Sequence, residues 1–83
     1  MEKTIYSGEY ALVLRLLREA REKAGITQMQ LAKKLGLTQS FVSKIERGDR
    51  RLDIVQLRTV CRVLGISLLE FVKQFEEELA QEK

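Results

Sequence analysis

The chain has 83 residues, enough for one small domain and too few for two independent hydrophobic cores. Hydrophobic residues make up 45% and charged residues 33%, and proline is absent, which excludes a disordered tail or a loop-rich scaffold and favours helix. The net charge of +3 is too mild to identify a polyanionic partner by itself.

Five helical segments are predicted in chain order, and nothing reads as a strand. The first, residues 8 to 24, has Tyr10, Val13, Leu17, Ala20 and Ala24 at helical spacing, with Ser7 placed to cap it. The second, residues 28 to 35, opens on a capping box of Thr27 and Gln30 and turns Leu31, Ala32 and Leu35 inward. Thr38 caps the third, residues 39 to 47, whose inward residues are Val42 and Ile45. Asp53 and Gln56 form a looser box before the fourth, residues 54 to 64, with Leu57, Val60, Cys61 and Leu64 inward. Ser67 and Glu70 open the fifth, residues 68 to 80, whose stripe is Leu68, Phe71, Val72, Phe75 and Leu79.

The five glycines fall near the ends of these segments, as expected of residues that tolerate positive φ. They are never clustered, which excludes a phosphate-cradling loop of the P-loop or dinucleotide kind. Helices two and three are too short to hold in water alone and must be stabilised by packing on the others. The expectation is an all-α, compact five-helix domain over residues 1–83, with residues 1–7 a loose N-terminal segment and 80–83 a frayed end. Ile5 and Tyr6 are available to pack on the body.

Several functions are set aside by what is missing. With no histidine and one cysteine, Cys61, the chain cannot assemble a usual zinc site, a Ser-His or Cys-His nucleophile pair or an internal disulfide, so no metal and no cofactor is expected. The twelve acids stand mostly among basic neighbours at solvent-facing helix positions, which argues against a catalytic carboxylate pair and against an enzyme. There is no secretory signal pattern and no apolar run of the roughly 20 residues a bilayer span requires, so a soluble, cytoplasmic protein without a membrane partner is expected. The charge is unevenly distributed: Lys33 to Arg51 has a net +4, while Glu70 to Lys83 has a net −3.

The third helix is the informative one. At 100° per residue, Val42 and Ile45 fall on one side and Ser40, Ser43, Lys44 and Arg47 on the other, with Gln39 at the rim. Such a helix is suited to a DNA major groove: amide and hydroxyl groups at its start reach base edges, and flanking cations meet phosphate. A merely solvated helix face is the alternative. The run ITQMQLAKKLGLTQSFVSKIERG, Ile26 to Gly48, bears on that choice, because it resembles the lambda-repressor and Cro-like (Xre-type) helix-turn-helix family, with helices two and three as the motif. The flanking LREAREKAG and DRRLDIVQLRTVCRVLGISLLEF are also similar to that family, so the resemblance covers roughly residues 14 to 71.

The resemblance implies a lambda-repressor-like fold and roles for particular residues. Gln39, Ser40 and Lys44 take the base-reading positions, Gln39 suiting adenine and Lys44 suiting guanine. Gln28 occupies the position that grips a phosphate and braces Gln39, while Ser43, Arg47, Arg50 and Arg51 supply further phosphate contacts. Glu46 corresponds to an acid that pairs with an arginine of helix one, here Arg21, as a structural ion pair. Phe41 departs from the small or polar residue common at its position, and either touches a thymine methyl or packs at the domain edge.

The implied function is sequence-specific binding of double-stranded DNA by a small, nucleoid-associated transcriptional regulator, a repressor acting as a homodimer on a near-palindromic operator. Leu52, Ile54, Leu68, Leu69, Phe75 and Leu79 are the dimer-interface candidates, with Leu69 and Leu79 the residues the core is expected to leave exposed. The competing reading is a protein-interaction module or antitoxin-type protein that presents the same fold to an unknown protein partner.

Overall fold

In the computed structural model, which describes residues 8–81, the chain forms α1 (Gly8–Lys23), α2 (Gln28–Leu35), α3 (Gln39–Arg47), α4 (Ile54–Val63) and α5 (Leu68–Gln81). The fold is all-α, and each helix ends within a residue of the boundary read from sequence. The expected roles of Ser7, Ile5 and Tyr6, and the ends at 1–7 and 82–83, lie outside the described residues. Ala80 and Gln81 belong to α5. No helix is long and apolar enough to cross a membrane.

Side-chain caps explain why the helices start where they do. Thr27 Oγ1 accepts from the Gln30 amide at 3.1 Å while Gln30 Oε1 accepts from the Thr27 amide at 2.9 Å. Asp53 and Gln56 close the same reciprocal box at 2.7 and 3.0 Å, and Ser67 and Glu70 at 3.0 and 3.1 Å. Thr38 Oγ1 accepts singly, from the Phe41 amide at 3.1 Å. Each cap satisfies amides that no helical carbonyl can reach, and contributes about 1 kcal/mol. Both helices of the central pair end at a left-handed glycine, Gly36 at φ 72° and Gly48 at φ 87°. The amides beyond fold back, Leu37 onto the Ala32 carbonyl and Asp49 onto that of Lys44, which stops each helix sharply.

One core joins all five helices: Leu12, Leu16 and Leu17 of α1, Leu31 and Ala32 of α2, Val42 of α3, Val60 and Cys61 of α4 with Leu64 just beyond it, and Phe71 of α5. The stripe read for α1 needs correction. Leu12 and Leu16, absent from it, are buried, whereas Tyr10, Val13 and Ala20 are half-buried and Ala24 is exposed. α1 packs against both α3 and α5, so its buried arc is wide and turned toward Leu12 and Leu16. Val72 is likewise exposed, because α5 packs along Phe71 and Phe75 and Val72 lies about 100° round the helix from Phe71. α2 and α3 pack directly on each other, with the small side chain of Ala32 buried in the core.

Candidate nucleic-acid interface

α3 is held by its apolar side and by one carboxylate. Val42 and Ile45 are buried, which leaves Gln39, Ser40, Lys44 and Arg47 exposed and Ser43 half-buried. On one flank of the helix, Glu46 Oε2 accepts from Arg21 Nε at 2.6 Å, and Glu46 Oε1 accepts from Arg21 Nη2 at 3.1 Å and from Gln28 Nε2 at 2.9 Å. Arg21 Nη1 donates to the Ile26 carbonyl at 2.9 Å. With side chains only 11% and 9% exposed, Arg21 and Glu46 form a nearly buried bidentate pair. Through it α1, α2 and the α1–α2 turn all bear on α3, fixing the angle at which its polar face projects.

The structure places the other site residues in distinct environments. Gln28 is half-buried and directs its carboxamide to Glu46, where the resemblance had it bracing Gln39. Gln39 and Glu46 stand seven residues, about two turns, apart on nearly the same flank of α3, and the Gln28 carboxamide goes to the carboxylate, which Arg21 already orients. Arg47 is engaged within its own neighbourhood, donating from Nε and Nη2 to Asp49 Oδ2 at 3.1 and 2.9 Å and from Nη1 to Ser43 Oγ at 3.0 Å. Arg50 and Arg51 are exposed. The Arg50 guanidinium carbon lies 4.5 Å from the Phe41 ring centroid, and that of Arg51 lies 5.0 Å from the Tyr10 centroid.

Phe41 therefore packs at the domain edge, lining an apolar groove with Leu52 and Val55. Sequence reasoning missed its ring contact, as it missed the Tyr10–Arg51 contact and the Arg47–Asp49 pair. Only the last had a signal, in the closeness of an acid to a base. The ring contacts join residues separated by nine and by 41 positions, for which no helical spacing rule exists. Neither α2 nor α3 carries an acid in its first turn, so the positive ends of both helix dipoles are uncompensated. The first amides of each, those of Gln28 and Met29 and of Gln39 and Ser40, precede the capped amide and have no carbonyl in their own helix.

The proposed dimer candidates divide. Leu69 is 78% exposed and Ile54 66%, joined by Val55 at 69%, which sequence reasoning passed over, and by Val72. Leu52, Leu68, Phe75 and Leu79 instead pack against the core, Leu79 included, because the turn from α4 to α5 folds that side of α5 back onto the body.

A short α2 and a short α3 packed on one another, caged by three further helices and presenting a polar, cation-flanked outer face, define a helix-turn-helix domain. The chain matches the helix-turn-helix family over residues 17–71. An XRE-family like protein from Pseudomonas syringae pv. tomato is 44% identical, with 93% of this chain and 94% of that one aligned at a TM-score of 0.83. The restriction-modification controller protein C.Esp1396I, solved as a tetramer in complex with its natural 35-base-pair operator, is 30% identical over 89% of this chain and 97% of that one, at a TM-score of 0.78. An HTH-type transcriptional regulator of Sinorhizobium fredii is 32% identical over 57 residues, 69% of this chain and 74% of the relative. This chain belongs to the lambda-repressor-like, Xre-type helix-turn-helix family of DNA-binding transcription regulators.

Proposed function

We propose that the chain is a small cytoplasmic, nucleoid-bound regulator that recognises a near-palindromic operator in double-stranded DNA as a homodimer and represses transcription by occupying it. The reading assigns it no catalytic step. The observation that carries it is the outer face of α3: Gln39, Ser40 and Lys44 are exposed on a helix held in place by Val42, Ile45 and the Arg21–Glu46 pair. Gln39 has a carboxamide able to donate and accept at an adenine edge, Lys44 a cation for guanine O6 and N7, and Ser40 a hydroxyl that serves either.

Gln28, Ser43, Arg47, Arg50 and Arg51 meet the phosphates in this reading. Gln28 keeps one carboxamide hydrogen and its backbone amide at the α2 N-terminus beyond its bond to Glu46. Arg47 must exchange Asp49 for phosphate to take part. Dimerisation brings two copies of α3 to successive turns of one DNA face, about 34 Å apart. Ile54 and Leu69, with Val55 and Val72 beside them in sequence, supply exposed apolar surface for that joint.

The test is selection of bound duplexes from a random pool, followed by binding titrations at several salt concentrations. The logarithm of affinity falls linearly with the logarithm of salt, with a slope of about −0.9 per phosphate neutralised. Gln39→Ala costs about 1 to 3 kcal/mol on the selected site and little on random duplex. A chain that enriches no sequence and binds no duplex at low salt has some other partner for this face.

A further inference from the structure

We propose that Phe41 and Tyr10 are positioning residues: each holds the guanidinium of one arginine of the Arg50–Arg51 pair over its ring, so that the N–H groups remain available to DNA phosphate. The inference rests on the DNA-binding reading above and deepens it. Arg50 lies over Phe41 at 4.5 Å and Arg51 over Tyr10 at 5.0 Å, so two consecutive cations are seated on rings from two different helices, α3 and α1.

The choice of an aromatic partner matters physically. A carboxylate orients an arginine by neutralising it and occupying its hydrogen-bond donors, as Asp49 does for Arg47. A ring face attracts the guanidinium through its quadrupole and leaves both the charge and the in-plane N–H groups unspent. Among the described residues, neither the Arg50 nor the Arg51 side chain takes part in a hydrogen bond or an ion pair, so each retains its fork of donors. Phe41 is half-buried on α3, and the Arg50 amide is fixed by donation to the Lys44 carbonyl at 3.2 Å. Side-chain freedom that a solvated arginine surrenders on binding has already been surrendered here on folding.

The experiment is a double-mutant cycle on the full chain, read as equilibrium affinity for the selected operator and for random duplex, with thermal melting to confirm folding. Phe41→Leu keeps apolar bulk and removes the π face; it weakens both duplexes about two- to fivefold, and Phe41→Tyr restores them. Arg50→Ala weakens both as well, and in that background Phe41→Leu has no further effect. Tyr10→Leu with Arg51→Ala gives an independent second cycle, which decides the matter if Phe41→Leu does not fold. Independent losses within a cycle overturn the proposal, as does a Phe41→Leu defect confined to one operator base pair, since the ring would then act directly on DNA. Failure of the wild-type chain to bind any duplex overturns the DNA-binding reading and this proposal with it, and is seen before any variant is made.

Discussion

Glu46 is an acid in the most basic stretch of the chain, and its environment explains its presence there: Arg21 approaches from α1 and Gln28 from α2, and both donate to its carboxylate. Removing one member strands a poorly solvated charge. Arg21→Ala or Glu46→Ala is expected to lower the unfolding free energy by about 3 kcal/mol, while Arg21→Met with Glu46→Leu loses less than either single change; urea denaturation measures all three. Cys61 is fully buried, and desolvation of its thiolate pushes the thiol up to about 11 from an ordinary value of 9.0. The folded state therefore holds this proton more tightly than the unfolded state does. Below pH 9 the thiol is neutral in both states and costs nothing; as pH rises from 9 toward 11 the unfolded chain ionises first and stability falls, by up to about 2 to 3 kcal/mol. Cys61→Ala should flatten the fall in stability across that window; an unchanged slope would show that the thiol contributes nothing. Native Cys61 should also resist alkylation at neutral pH, as measured by mass spectrometry.

At the scale of the element, the helix ends were legible because they are local. A Thr or Ser three residues before a Gln or Glu needs no distant partner, and the boxes at Thr27 and Ser67 form with the predicted pairs, as does the looser one at Asp53. Which face of a helix is buried is less local. α1 offers Leu12, Val13, Leu14, Leu16 and Leu17 in close succession, so several arcs look apolar, and its neighbours α3 and α5 choose among them. That choice can be checked. Leu16→Ala is expected to cost about 2 to 5 kcal/mol by calorimetry or denaturant melting, whereas Ala24→Ser stays within about 0.5 kcal/mol. Comparable losses at the two positions would return the buried face to Ala24.

At the scale of the whole molecule, the basic middle of the chain and the apolar residues left outside are the features the core does not explain. Leu69 is 78% exposed, so Leu69→Glu should leave the melting temperature of the monomeric unit nearly unchanged while, in the proposed homodimer, it shifts the mass in solution from dimer to monomer. On that proposal operator affinity falls with the dimer, because one helix-turn-helix unit would read only half the site; sedimentation and titration on a half-site separate the two effects. An unchanged dimer would place the joint elsewhere. The sequence by itself determined five helices and the caps of α2 to α5, because turn chemistry and 3.6-residue periodicity are short-range properties, and its resemblance to a known family identified the helix-turn-helix. The tertiary structure decided which way α1 is turned, that Gln28 reaches Glu46, that Arg47 is tied to Asp49, and that Arg50 and Arg51 rest on Phe41 and Tyr10. Those contacts join side chains whose relative directions are set only once the helices have packed, and no local rule specifies them.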